Sequence, residues 1–342
     1  MRQFNNPLSA TLAGLADQLR RRRGGAMLDD GERLDGRTCL VTGANSGLGK
    51  AIAIQLAARG ARVIMACRSG IPEAGEDVRR LSGSGAVEMM HVDLTDFDSV
   101  RGLCDQLRDR KVRLDVAVLN AGVMPRRSRR TRHGFELMFQ VNYLAGVLLT
   151  RRLLQDNVIP NRTFAGDGGV GGGDATAPRS RIIFVSSEAH RTAKPIDLGA
   201  LGAYVEYGVV TGMAQYAHTK LAICTYATEL ARRLRDDRGV DVAVHALCPG
   251  PVDTNMAREA PLWLKPALKL VMGAFFSAPE VAARPVVYLA CARALESESG
   301  RYLHMTEQKE ASASACDAVA GRGLWEASER LLRRAHAIDS AG

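Results

Sequence analysis

With 342 residues, 46% of them hydrophobic and 24% charged, the chain carries enough apolar material for a full α/β core and lies near the upper length of one domain. Its net charge of +9 is held largely in short clusters, Arg20 to Arg23, then Arg126, Arg127, Arg129, Arg130 and Arg132, then Arg330, Arg333 and Arg334. No aromatic side chains interleave with them, so they read as solvated faces and not as a nucleic-acid surface. Seven cysteines with no C-x-x-C and no His/Cys pair at metal spacing argue against a disulfide framework or a metal centre, and fit reduced core thiols in a cytoplasmic compartment.

The start, Met1 to Pro7, lacks the apolar run of a signal peptide, and no stretch of about 18 uncharged apolar residues occurs, so no bilayer span is expected. Leu8, Leu12, Leu15 and Leu19 recur at helical spacing ahead of Arg20 to Arg23. That pattern predicts a helix docked on the protein or on a partner subunit; the alternative is a peripheral contact with an anionic membrane, leucines down. Residues 24 to 36, rich in Gly and Asp, read as a linker, and residues 1–35 as an N-terminal extension.

Cys39-Leu40-Val41 then reads as a strand, Thr42 to Lys50 as a glycine turn and Ala51 to Ala58 as a helix. Gly43, Gly47 and Gly49 let the backbone turn tightly, while the helix start aims unpaired N–H groups and a positive dipole end at an anion, naturally a pyrophosphate. Two related loops are excluded. The phosphate loop needs a glycine where Ala44 stands and a hydroxyl where Ala51 stands, and the spacing G-x-G-x-x-G is absent here.

Further strands are expected at Arg62–Cys67, Glu88–Val92, Asp115–Leu119, Arg181–Val185 and Val240–Leu247, with helical patterns between them and a short last strand at Arg301–His304 after a helix from Pro279 to Leu295. Such alternation predicts a doubly wound parallel sheet of about seven strands with helices on both faces and ligands at the carboxyl ends of the strands. Phe164 to Pro178, with six glycines and few apolar side chains, reads as a surface insertion near 164–178, and residues 306–342 as a helical C-terminal tail. The apolar run from Pro261 to Phe276 reads as a lid over a substrate mouth, with a subunit interface or a membrane contact as alternatives.

The strand ends carry the chemistry. After the second strand, Ala66-Cys67-Arg68 lacks the acid that would bind both ribose hydroxyls of NAD and offers an arginine suited to a 2′-phosphate. Tyr216-Ala217-His218-Thr219-Lys220 puts a phenol and an ammonium on one helix face, where the cation is expected to favour the phenolate and make the tyrosine usable as acid and base. Ser186-Ser187 ends the fifth strand with a hydroxyl able to bond a substrate carbonyl.

Taken in chain order, TGxxxGxG at residues 42–49, Asp93, Asn120-Ala121-Gly122, Asn142, Ser187, Tyr216 with Lys220, and Pro249-Gly250-Pro251-Val252-Asp253-Thr254 resemble the short-chain dehydrogenase/reductase family over residues 36–305. Ala44 to Lys50, Ala66-Cys67-Arg68, Asn120 to Met124, Gly134-Phe135-Glu136, Ser186 to His190 and Leu324 to Leu331 look like its retinol dehydrogenase branch; the glycine-rich insertion and the Arg126 to Arg132 loop depart from it.

The resemblance implies a Rossmann-type fold and an NADP(H)-dependent oxidoreductase acting on an alcohol/carbonyl pair of lipophilic character. Tyr216 would exchange the proton, Lys220 would lower its pKa and bind the nicotinamide ribose, Ser187 would hold the substrate oxygen and Asn142 a water. Gly43, Asn45, Ser46, Gly47, Leu48, Gly49, Arg68, Asp93, Leu94, Asn120, Ala121, Gly122, Pro249, Gly250, Val252 and Thr254 would line the cofactor. No metal or nucleic acid is expected, and a homo-oligomer is. The competing function is a non-catalytic NADP-binding sensor or scaffold of the same fold.

Overall fold

The computed structural model describes residues 31–164, 178–209, 211–252 and 277–338. The leucine stripe of residues 8–19, most of the glycine-rich insertion, Thr254 and the run Pro261 to Phe276 lie outside the described residues.

Strand β1 (Thr38–Thr42) leads through the glycine turn into α1 (Gly47–Ala58), β2 (Arg62–Cys67), α2 (Glu73–Ser82), β3 (Val87–His91), α3 (Phe97–Asp109) and β4 (Val116–Leu119). A short turn of helix at Leu137–Phe139, a π-helical stretch Gln140–Leu144 and α4 (Ala145–Gln155) follow in one run before β5 (Arg181–Val185). The long helix α5 (Gly212–Arg233) precedes a small hairpin of β6 (Arg235–Asp236) and β7 (Gly239–Val240), then β8 (Ala243–Cys248), α6 (Pro279–Cys291), β9 (Tyr302–His304), β10 (Glu307–Lys309) and α7 (Ala318–Arg334).

The main sheet has eight strands in the order β10-β9-β8-β5-β4-β1-β2-β3, parallel throughout except for β10, which pairs antiparallel with β9. Strand pleating explains the layers, because successive side chains leave opposite faces. Leu40 enters a core with Phe97, Leu103 and Leu148, whereas its neighbours Cys39 and Val41 enter a second core with Ile52, Leu56 and Val286. The chain runs outward from β1 to β3 and then returns to the other side of β1 at β4, so a crevice opens where the strand order reverses. The glycine turn and Asn120 stand at that switch point.

Two details differ from the sequence expectation. The expected strand Val240–Leu247 is divided: Val240 closes the β6–β7 hairpin, whose turn is set by Gly239 at φ +102°, and the sheet strand begins at Ala243. The expected count of about seven becomes eight, because Met305, at φ +56°, turns the chain back and lets the polar Glu307–Lys309 pair along β9. Charged side chains on that edge discourage pairing with another chain. The C-terminal helix is part of the core, with Leu324, Ala327, Leu331 and Leu332 buried among residues of α4 and α5.

Candidate active site

The glycines at the switch point are required sterically. A Cβ on Gly49 would stand 2.3 Å from the Gly43 carbonyl oxygen and 2.5 Å from Asn120 Nδ2, while Gly43 and Gly47 have φ of +66° and +53°. Asn120 holds the turn shut: its Nδ2 donates to the carbonyls of Thr42 (2.9 Å) and Gly43 (3.4 Å), and its backbone N–H and that of Ala121 donate to Thr42 Oγ1. The side-chain amide is therefore committed to the turn.

The start of α1 is left open. The Ser46 side chain makes no capping bond and no acidic residue occupies the first turn, so the N–H groups at Gly47, Leu48 and Gly49 face an anion site without side-chain competition. Asn45 reaches Ser69 at 3.4 Å, which sets the exposed Arg68 beside the turn, and Arg68 has no side-chain partner among the described residues. Asp93 accepts from the backbone and hydroxyl of Thr95 with one carboxylate oxygen, next to Leu94. An open helix end, a tight glycine bed and an unpaired arginine fit a pyrophosphate with a further phosphate nearby.

Around the corner lie the four side chains expected to carry the chemistry. Tyr216 on α5 is half-buried; burial pushes its phenol up to about 12, and a hydrogen bond with the Ser187 hydroxyl works against that rise. Lys220, 4% exposed, donates from Nζ to the Val185 carbonyl at 2.9 Å and stands 5.5 Å from the centroid of the Tyr216 ring. Desolvation lowers its pKa to about 8. The spacing of four does put both groups on one face. The expected lowering of the phenol by the lysine is not realised in this arrangement, since the ammonium is turned to a carbonyl and burial governs the phenol.

Asn142, in the π-helical stretch, accepts from the Val123 N–H (2.7 Å) and donates to the Val123 carbonyl (3.0 Å) and the Thr219 hydroxyl (3.4 Å). A Cβ on Gly122 would be 3.5 Å from Asn142 Oδ1 and 3.9 Å from Lys220 Nζ, so the Asn120-Ala121-Gly122 segment touches both. On the far side, Pro249 is buried, Gly250 turns at φ +86° against Met305, and Val252 bridges to Ser277.

A family model for short chain dehydrogenases matches residues 37–196. Human Retinol dehydrogenase 14 is 37% identical over 92% of this chain and 90% of its own length. The chain belongs to the short-chain dehydrogenase/reductase family. Human Retinol dehydrogenase 13 is 36% identical over 97% of this dehydrogenase/reductase and 96% of its own length. The crystal structure of RhlG of Pseudomonas aeruginosa, an NADP active-site complex, superposes with a TM-score of 0.56 at 26% identity, covering 80% of this chain and 96% of that one. The family binds NAD(P), in keeping with the open helix end, and the similarity to retinol dehydrogenases agrees with the branch expected from the motifs.

Sequence reasoning missed one organising residue of this dehydrogenase/reductase. Glu136, fully buried, accepts from the N–H groups of Met138 and Phe139, from the Tyr207 hydroxyl (2.8 Å) and from Gln215 Nε2 (3.2 Å). It thereby ties the helix that carries Asn142 to the residue preceding Tyr216. An acid directly before the apolar Leu137-Met138-Phe139 was the available signal of a buried cap. The Arg126 to Arg132 loop packs close by: Ser128 exchanges two bonds with Tyr207, Arg130 lies 3.9 Å over the Tyr204 ring and Arg132 pairs with Asp96 and Asp98. Among the described residues no group of three or more His, Cys, Asp or Glu could hold a metal, and no helix is long and apolar enough to cross a membrane.

Proposed function

We propose that this chain is an NADP(H)-dependent oxidoreductase that interconverts a lipophilic alcohol and its carbonyl, with residues 36–305 as the catalytic domain. The observation that carries the reading is the convergence of Ser187, Tyr216, Lys220 and Asn142 beside an open helix end and an unpaired Arg68. RhlG, a relative in fold, was solved with NADP, and the curated relatives include retinol dehydrogenases, which supports both the cofactor and the substrate class.

Gly43, Asn45, Ser46, Gly47, Leu48 and Gly49 would hold the pyrophosphate, Arg68 the 2′-phosphate, Asp93, Leu94, Asn120, Ala121 and Gly122 the adenosine side, and Pro249, Gly250, Val252 and Thr254 the nicotinamide end. The bound cofactor supplies the hydride. Ser187 would hold the substrate oxygen through its hydroxyl, and Tyr216, beside it, would pass its phenolic proton to that oxygen in reduction and take it back in oxidation. Lys220, once turned from the Val185 carbonyl, binds the nicotinamide ribose and favours the phenolate, and Asn142 sets the Thr219 side of the lysine. As part of the same reading, the protein is cytoplasmic, with a peripheral membrane contact as the alternative, and assembles as a homo-oligomer.

The test is NADPH oxidation followed against retinal, an aliphatic aldehyde, a steroid ketone and a quinone, with NADH in parallel. Turnover of a bulky apolar carbonyl with NADPH is expected; binding of NADPH without turnover of any carbonyl would point to the sensor instead.

A further inference from the structure

The turn after the candidate serine is tied to a distant part of the chain. Ser187 has an extended backbone and caps a 3-10 turn, Glu188–Thr192, with its Oγ accepting from the Ala189 N–H at 3.2 Å. His190, 1% exposed, sits beneath it: Nδ1 lies 2.7 Å from the Ser187 carbonyl oxygen, and Nε2 lies 3.1 Å from the backbone nitrogen of Ser312.

The chemistry of these partners assigns the tautomer. A backbone N–H can only donate, so Nε2 is the bare nitrogen; the proton is then on Nδ1, which donates to the Ser187 carbonyl. Burial lowers the pKa of this ring to about 4, so the neutral form persists at working pH. The rest of the turn is held from the same direction. Tyr302 donates its hydroxyl to Glu188 at 2.9 Å, its ring meets the His190 ring edgewise at 5.0 Å, and Arg191 bonds both Glu188 and the Glu310 carbonyl.

We propose that His190 is the positioning residue of Ser187: by bridging the Ser187 carbonyl to the Ser312 N–H it fixes the serine backbone, and with it the angle at which Oγ meets the Tyr216 hydroxyl. The proposal rests on the reading of Ser187 as the group that holds the substrate oxygen. It makes the segment around Ser312, 125 residues further along the chain (312 − 187), part of the active-site scaffold. A misplacement of about 1 Å at a reacting group can cost on the order of a hundredfold in rate, so one such bridge matters.

The experiment compares His190→Phe, which keeps a ring and loses both bonds, with His190→Asn, whose amide can still donate to the Ser187 carbonyl. Ser312→Pro removes the N–H bond to His190, together with a buried hydroxyl that has no hydrogen-bond partner among the described residues, at a residue whose φ of −60° suits proline. Ser187→Ala and the double variant with His190→Phe complete the set. The readouts are kcat and KM for the fastest carbonyl of the four-member panel, the NADPH dissociation constant by fluorescence titration and the urea midpoint.

His190→Phe should lose about tenfold to a hundredfold in kcat with NADPH affinity unchanged, His190→Asn should recover most of it, and Ser312→Pro should fall in between. The double variant should be no slower than Ser187→Ala alone, because a residue that acts through Ser187 has nothing left to position. Full additivity, no recovery in His190→Asn, or a loss that follows the urea midpoint or the NADPH affinity would overturn the proposal and leave His190 as core packing. If His190→Phe does not fold, Ser312→Pro decides, unchanged kcat counting against. Wild-type turnover in Ser187→Ala would instead sink the underlying reading of the serine, and the two failures are thereby told apart.

Discussion

At the scale of single residues, the phenol of Tyr216 is the sharpest point of the proposed chemistry. Tyr216→Phe keeps the ring and removes the proton, so kcat should fall by about a hundredfold to ten-thousandfold while NADPH affinity measured by titration stays near that of the parent. Arg68→Asp should shift the ratio of kcat/KM for NADPH over NADH downward by about tenfold to a hundredfold, since it removes a charge-assisted phosphate contact and adds a ribose acceptor. An unchanged ratio would mean that the phosphate is held elsewhere. Of the four candidate side chains, Ser187, Tyr216 and Lys220 stood out because a strand end and a spacing of four are local patterns, whereas Asn142 came only with the family resemblance. The carbonyl of Val185 that captures Lys220, the ring of His190 and the carboxylate of Glu136 were not legible, because their partners lie 35, 122 and 79 positions away and no spacing announces them.

At the scale of elements, what could be read from the chain follows how strongly each segment is buried. Apolar strands such as β2 and β5 were legible to the residue, because both faces are covered and every side chain must be apolar or paired. The hairpin β6–β7 and strand β10 were not, since they are two or three polar residues long and depend on the left-handed turns at Gly239 and Met305. The π-helical stretch escaped for a similar reason, as its composition is that of any helix. Helix α7 shows how a tail becomes core: Trp325 stacks on Tyr226 at 5.4 Å, Ser328 bonds the Tyr143 hydroxyl at 2.7 Å and Glu329 pairs with Arg151 at 3.0 Å. Leu324→Ala should therefore lower the unfolding free energy by about 2 to 5 kcal/mol in urea titrations, against within about 0.5 kcal/mol for the exposed Val319→Ala.

At the scale of the whole molecule, buried neutral histidines set how the fold responds to acid. His245, 1% exposed on β8, has neither ring nitrogen bonded among the described residues; burial and the nearby Arg181 and Arg301 lower its pKa to about 3, while His190 is lowered to about 4. Both pKa values lie below that of an unfolded histidine. The unfolded chain thus binds more protons in this range, and the associated stability is fully present above about pH 6.5 and is lost progressively as pH falls from there towards the folded values. Each histidine should contribute a loss of about 2 to 3 kcal/mol between neutrality and pH of about 4.5. His245→Leu should flatten that slope in urea midpoints measured across the range, and an unaltered slope would place the acid sensitivity in other groups.

The bridge between Val252 and Ser277, together with the bond from the Ser277 N–H to the Pro251 carbonyl at 2.9 Å, closes the backbone on itself where it leaves β8 and re-enters α6. These two contacts form a clasp made by Pro251, Val252 and Ser277 themselves, so it holds Pro249 and Gly250 in place without calling on residues 253–276. Evolution could exchange the intervening residues as a cassette without dismantling the clasp. On the reading of Pro261 to Phe276 as a lid, grafting residues 255–276 from a relative of different substrate range, with Thr254 kept, should accordingly transfer selectivity while leaving the NADPH dissociation constant of the parent intact.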